Sequence, residues 1–157
     1  MNKTLIKLAL IVILALGLLM MGCSSKSEPK TAHPGDTPLD FQLQNLDGET
    51  ISLSDFEGKP VLINFWKTTC PPCVYEMPYM QQIYDEWSGK GLVFLAINIG
   101  ESSSTVKNFM QSHHLSLPVF LDAKMQVARD YNISAIPTTF FISKDGTVQE
   151  KIIGAFP

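Results

Sequence analysis

Two cysteines flank a pair of prolines in Cys70-Pro71-Pro72-Cys73, and no other residues of this chain are better spaced to do chemistry. Two sulfurs at that separation can close a small ring. At the start of a helix the first of them meets backbone N–H groups and the positive end of the helix dipole, both of which favour its thiolate. A free cysteine has a pKa of about 8.5, and such surroundings lower it to roughly 3.5 to 7.5, so Cys70 is expected to be a nucleophile near neutral pH. Proline costs no intrahelical bond in a first turn. Pro71 and Pro72 therefore fit a helix that begins just after Cys70, where they stiffen the loop and are counted with the substrate-facing residues. The pattern supports a cycle in which Cys70 attacks a substrate disulfide to give a mixed disulfide, and Cys73 then attacks Cys70 to release reduced substrate. Run backwards, the same steps oxidise. Beyond the Cys70-Cys73 redox disulfide no cofactor and no metal is required. Two plainer readings stand beside this one: an inert structural disulfide, and half of a zinc site. Tetrahedral zinc takes about four ligands, and no second Cys-x-x-Cys or well-spaced Cys/His pair follows.

A second feature converges on the same place. Ile136-Pro137-Thr138-Thr139 lies immediately before an apolar strand, where a turn could face the Cys70 helix, although an ordinary proline opening a strand has the same sequence. His113 and His114 are adjacent and diverge on a helix, so they read as surface rather than as a chelate. Met77 and Met80 read as core packing rather than as a copper site.

The elements that must position these residues follow from periodicity. Phe41 and Leu43, the turn pair Asp47-Gly48, then Ile51 and Leu53 alternate apolar and polar as a half-buried β-hairpin does. Val61 to Phe65 has the composition of a strand buried on both faces, and it delivers the chain to Cys70. From Pro71 to Trp87 apolar residues recur at helical spacing, with Pro78 expected to kink the helix. A second buried strand spans Leu92 to Ile99, a helix Thr105 to His114, a short strand Pro118 to Leu121, and another helix Ala123 to Tyr131. Thr138 to Ile142 and Thr147 to Ile153, joined by Lys144-Asp145-Gly146, predict a terminal β-hairpin. The order predicts an α/β sheet with parallel connections and an antiparallel end.

The third cysteine has a different setting. Lys3 and Lys7 precede an apolar run from Leu8 to Met21, which has the form of an export signal. The run falls short of the roughly 18 apolar residues usually needed to span a membrane, and Leu5 and Ile6 bring it close. It ends in Leu19-Met20-Met21-Gly22-Cys23, which resembles the lipobox of bacterial lipoproteins. Residues 1–23 are thus a signal peptide with lipidation at Cys23, an uncleaved anchor, or a signal cleaved elsewhere; each places the domain outside the cytoplasm. Residues 24–38, rich in Ser, Lys, Pro and Thr, read as a flexible linker, and residues 39–157 as one domain. Fifteen acidic against twelve basic residues, without a long run of either sign, give no electrostatic support to nucleic-acid binding.

Three stretches together, Asn64-Phe65-Trp66-Lys67-Thr68-Thr69-Cys70-Pro71-Pro72-Cys73, then Glu76-Met77-Pro78, then Ile136-Pro137-Thr138-Thr139-Phe140-Phe141-Ile142, resemble the TlpA/ResA branch of the thioredoxin-like proteins. The resemblance covers nearly all of Leu39 to Phe156. It implies a thioredoxin-like α/β fold with an N-terminal β-hairpin and a central β-α insertion, matched in length by Ile99 to Leu121. It also implies that Pro137 is cis and that Ile136 and Pro137 present backbone to substrate. Trp66 is then a substrate-side aromatic or a plain core residue, and Glu76 a proton relay at the cysteines or a solvated acid aligned with the helix dipole. Thr69 stands where the family often has tryptophan, and Pro157 comes before the final helix the family usually carries. The implied activity is a protein-disulfide oxidoreductase of the bacterial cell envelope, reducing exported protein substrates, with cytochrome c maturation as one task. Its partners would be those disulfide or dithiol substrates, a membrane thiol electron donor, and the membrane itself. A thiol peroxidase of the peroxiredoxin-related type and a copper-binding metallochaperone are the rival readings.

Overall fold

The computed structural model describes residues 32–155. The N-terminal apolar run, Cys23 and the start of the linker lie outside the described residues, as do Phe156 and Pro157. The strands are β1 (Gln42–Asn45), β2 (Thr50–Ser52), β3 (Val61–Trp66), β4 (Val93–Ile99), β5 (Val119–Asp122), β6 (Thr138–Ile142) and β7 (Val148–Ile153). The α-helices are α1 (Pro71–Trp87), α2 (Ser103–Ser112) and α3 (Gln126–Asp130).

All side chains of β3 are buried, which is why its sequence is a continuous apolar run rather than an alternating one. It lies between β4, to which it is parallel, and β6, to which it is antiparallel. The full sheet runs β2-β1-β5-β4-β3-β6-β7. Side chains of a strand alternate between its faces, and the two cores show that alternation. Leu62 and Trp66 join the core with the α1 residues Cys73, Met77 and Met80 and the α2 residues Val106 and Met110. Val61, Ile63 and Phe65 join the opposite core, with Val127 and Ala128 of α3 and with Tyr131 and Phe140. The rings of Phe65, Tyr131 and Phe140 meet there at centroid distances of 5.5 to 5.9 Å, within the range in which aromatic pairs add to simple burial. This is the α/β arrangement expected, with the hairpin β1–β2 attached beyond β5 and the α2–β5 unit set between β4 and α3.

Local chemistry explains the boundaries. The β1–β2 turn is closed by Asn45, whose Oδ1 accepts from the N–H groups of Asp47 and Glu49, while Gly48 takes a φ of 89° that glycine alone adopts without strain. Leu53 does not extend β2. It opens a 3-10 turn, Leu53–Phe56, in which Asp55 accepts from the Ser52 N–H. Helix α1 passes through Pro78 and continues to Trp87; proline has no N–H, so the Val74 carbonyl receives no bond from that position.

One boundary moves. Composition places all of 24–38 in a solvated linker, yet the chain packs against the sheet from Ala32 onward: Ala32 is buried, Gly35 N–H donates to Val148 O at 2.8 Å, and Val148 N–H donates to Asp36 O at 2.9 Å. The Gly35-Asp36 backbone thereby satisfies groups on the outer edge of β7, which would otherwise be open for pairing. Among the described residues no helix is long and apolar enough to cross a membrane.

Candidate active site

Cys70 is the N-cap of α1. The next two positions are prolines, which carry no N–H, so the first donor the helix can offer is that of Cys73, and it points at Cys70 Sγ across 3.3 Å. Val74 N–H then bonds the Cys70 carbonyl at 3.0 Å. The sulfur of Cys70 thus sits at the positive end of a 17-residue helix with a hydrogen-bond donor already aimed at it, which stabilises a thiolate there in the reduced protein. In the structure Cys70 and Cys73 are joined as a disulfide. The two are unequal in access: Cys70 retains 9% of its surface and Cys73 none.

The loop before β6 closes the site from the other side. The Ile136–Pro137 bond is cis, Pro137 is buried, and the Ile136 carbonyl oxygen lies 3.7 Å from Cys70 Sγ, where it can accept from the thiol in the reduced state. Thr138 Oγ1 donates to Ala135 O at 2.7 Å and Gly154 N–H to Pro137 O at 2.8 Å, so this loop is held at both of its ends. Pro71 and Pro72 are exposed beside Cys70, and Ile136 is half-buried.

Beneath the cysteines lies a buried polar cluster drawn from three elements. Asn64 of β3 donates through Nδ2 to Glu76 Oε1 of α1 at 2.9 Å and to Thr139 Oγ1 of β6 at 3.0 Å. Asn64 and Thr139 are register partners, and Glu76 follows Cys73 by one helical turn. Glu76 has no exposed surface, which overturns the reading of a solvated first-turn acid. A carboxyl is rarely this deep in a core without polar partners.

Trp66 requires a correction as well. It is counted among the substrate contacts in the sequence, but it is entirely buried, with its ring 5.3 Å from that of Phe109. It belongs to the α1–α2 core because it is an even-numbered residue of β3, on the same face as Leu62 and Asn64, and it supports the cysteines from below without reaching a ligand. Met77 and Met80 are core residues. His113 and His114 are exposed, the former stacked on Phe109. Among the described residues no group of three His, Cys, Asp or Glu is placed to hold a metal ion.

Sequence reasoning missed Glu101. Its carboxylate accepts from Thr68 N–H at 2.8 Å, Thr68 Oγ1 at 2.7 Å and Asn98 Nδ2 at 2.6 Å, so it clamps the short loop that leads from β3 into Cys70. The available signal was a Gly-Glu pair at the end of a buried strand parallel to the one that carries the cysteines. Active-site residues gather at such strand ends.

A slightly accessible cysteine at a helix N-terminus, a fully buried one a turn away, and a cis-proline loop against the first can carry out thiol–disulfide exchange. Relatives show the same assignment. Residues 34–151 match the AhpC/TSA family. The chain is 39% identical over 145 residues to the thiol-disulfide oxidoreductase ResA of Bacillus subtilis, covering 92% of this chain and 80% of that protein. In solved structures it resembles a thioredoxin-family thiol:disulfide interchange protein from Chlorobium tepidum, at 34% identity and a TM-score of 0.69, over 80% of this chain and 89% of that one. It also resembles StoA from Bacillus subtilis, at 29% identity and a TM-score of 0.67, over 76% and 90%. The chain therefore belongs to the AhpC/TSA family of thioredoxin-like proteins, in its ResA-like branch of thiol-disulfide oxidoreductases.

Proposed function

We propose that this oxidoreductase works outside the cytoplasm as a reductase of disulfides in exported proteins, with apocytochrome c among its substrates, and that a lipid on Cys23 tethers it to the membrane. The observation that carries the reaction is the unequal access of the two cysteines: Cys70 keeps a small exposed fraction, with an N–H donor aimed at its sulfur, and Cys73 keeps none. The reduced enzyme attacks with the Cys70 thiolate. A bond forms between Cys70 Sγ and one substrate sulfur, and the other substrate sulfur leaves as a thiolate and takes a proton from solvent. Cys73 then loses its proton and attacks Cys70 Sγ. The enzyme disulfide forms, and the second substrate sulfur leaves and is protonated. The substrate has gained two electrons and two protons, and a membrane thiol donor returns the enzyme to the dithiol.

Glu76 is the group proposed to take the Cys73 proton, since it lies one turn along the same helix face and is equally shut off from water. Ile136 and Pro137 present backbone to the substrate chain, and Pro71 and Pro72 shape the approach to Cys70. The positively flanked apolar run before Gly22-Cys23 supports export and lipid attachment.

Three measurements test this reading. Cys73→Ser should trap substrate as a stable mixed disulfide on Cys70, while Cys70→Ser should trap nothing. Equilibration of the pair with dithiothreitol should give a potential nearer −270 than −120 mV, the ends of the span known for thioredoxin-like proteins. A value at the oxidising end, or a trap on Cys73 in the Cys70 variant, would overturn the reductase assignment. Cys23→Ala should release the protein from membranes.

A further inference from the structure

Next to the cysteines, on the side of the sheet away from α1, a groove of about 400 Å³ runs between the end of β4, α3 and the loop ahead of cis-Pro137. Its floor is apolar, formed by Ile99, Met125, Ala128 and Ile136, and its rim carries Lys67 and Arg129. Two of its lining residues, Ile136 and Lys67, touch Cys70 directly. The Ile136 carbonyl is 3.7 Å from Cys70 Sγ, and the Lys67 carbonyl accepts from the Cys70 N–H at 3.3 Å.

The two cations face this groove without acids of their own. Among the described residues the ion pairs are Lys90–Glu86 and Lys107–Asp47, neither of which involves Lys67 or Arg129. The nearby carboxylates are committed elsewhere. Glu101 accepts from Thr68 and Asn98. Asp122 accepts from the N–H groups of Gln126 and Ala128 at 2.8 Å, and Asp130 from Gln126 Nε2. Arg129 itself only reaches Gln126 Oε1, at 2.9 Å. Those carboxylates keep their charge but do not line the groove, whose charged lining residues are both cations.

Met125 supplies the second observation. It is 43% exposed and held at a φ of 55°, a left-handed conformation uncommon for a residue other than glycine and concentrated at functional sites. The conformation turns its side chain over Gly100, where an added Cβ would lie 3.2 Å from Met125 Cγ and 3.8 Å from Lys67 Nζ. A thioether and an ammonium thus converge on one spot of the groove wall. Methionine is the apolar side chain best able to adapt to differing partners.

We propose that this groove receives the polypeptide flanking the substrate's disulfide, and that it selects segments bearing an apolar residue and an acidic residue beside the cysteine. The apolar side chain lies against Met125 and Ile136 and the carboxylate is taken by Lys67 and Arg129. This rests on the oxidoreductase reading above and adds to it the chemistry of the preferred substrate.

The test uses the full chain in detergent, reduced, with three disulfide-closed peptides that differ only in one residue beside the cysteine, Glu, Gln or Lys, each also carrying a leucine. Rates with 2-hydroxyethyl disulfide are measured alongside. The Glu peptide should react about fivefold to tenfold faster than the Lys peptide at low salt, the size expected for two solvent-accessible charge contacts. The ratio should shrink as salt shortens the Debye length to about 10 Å at 0.1 M. Lys67→Gln with Arg129→Gln should bring the ratio within about twofold, and the charge-keeping pair Lys67→Arg with Arg129→Lys should retain it. Equal rates for all three peptides, or a preference that survives the Gln pair, overturn the groove assignment while leaving the oxidoreductase reading intact. Failure of the unaltered protein to exchange with any peptide or with 2-hydroxyethyl disulfide overturns both.

Discussion

Replacing Glu101 by alanine removes the acceptor that three donors share, and the structure gives the size of the loss. Hydrogen bonds to a charged group contribute ~1.5–3 kcal/mol each and do not add. Glu101 is half-buried, so water recovers part of what Thr68 loses. Asn98 is different: it has no exposed surface and its Oδ1 is already without a hydrogen-bond partner, so loss of the acceptor for Nδ2 leaves its whole amide unsatisfied. A net loss of about 2–4 kcal/mol follows, or roughly 8–16 °C in Tm for a domain of this size. Glu101→Gln separates geometry from charge. A glutamine oxygen in the place of Oε2 still accepts from Thr68 N–H and Asn98 Nδ2, and its amide nitrogen donates to Thr68 Oγ1, whose own hydrogen can turn away. That variant should lie within ~1 kcal/mol of the unaltered protein. The assay is urea unfolding of the oxidised protein, paired with the rate at which reduced Cys70 is alkylated, since the loop that Glu101 holds ends in Cys70. An alanine variant within ~0.5 kcal/mol of the unaltered protein, inside the range of an ordinary surface substitution, would refute the clamp. So would a glutamine variant as damaged as the alanine one.

Asn64→Ala withdraws both donors from the buried cluster and should lower unfolding free energy by about 2–3 kcal/mol, because Glu76 keeps its burial and loses a partner; a loss indistinguishable from zero in urea titration would show that the cluster contributes nothing. Tyr131 tests pH dependence. Burial, and secondarily the negative charge of Asp40, holds its phenol well above the ordinary value of 10.0, and its hydroxyl donates to Leu39 O at 2.6 Å. A tyrosine whose pKa is raised by folding binds its proton longer in the native state, so its contribution is complete below about pH 10 and is lost as pH rises beyond it, by up to roughly 1.4 kcal/mol per pH unit. Tyr131→Phe should therefore be less stable by about 1 kcal/mol at pH 7 and show a shallower alkaline loss. Identical slopes above pH 10 would contradict this. Gly100→Ala places a methyl 3.2 Å from Met125 Cγ at a φ of 71°, and should cost about 1–2 kcal/mol, read by thermal unfolding. A variant as stable as the unaltered protein would mean that Met125 does not rest on Gly100.

Periodicity was sufficient for the sheet. The continuous apolar runs of β3 and β4 and the alternation around Asp47-Gly48 and Lys144-Asp145-Gly146 each reflect burial on two faces or one, a property that local sequence records directly. The Pro71–Trp87 helix was equally legible, with its start marked by two adjacent prolines, which lose no intrahelical bond in a first turn. Element edges were less so. Leu53 and Ala32 show why: whether a residue extends a strand, opens a 3-10 turn or docks on a distant edge depends on what lies opposite it, here Phe41 and β7, and that is not local information.

The chemistry of the site divides along the same line. The types and spacing of Cys70 and Cys73, with the prolines between them, pointed by themselves to thiol chemistry, because sulfur nucleophilicity and the helix end that tunes it are both encoded within four residues. Only the tertiary structure decided which neighbours serve that sulfur. It placed the Ile136 carbonyl against Cys70, buried Trp66 instead of exposing it, drew Glu76 into a cluster with Asn64 and Thr139, and set Glu101 on the loop that leads into the motif. Those contacts join residues from 12 to 75 positions apart, and they exist because a mixed sheet brings strand ends together that the sequence keeps separate.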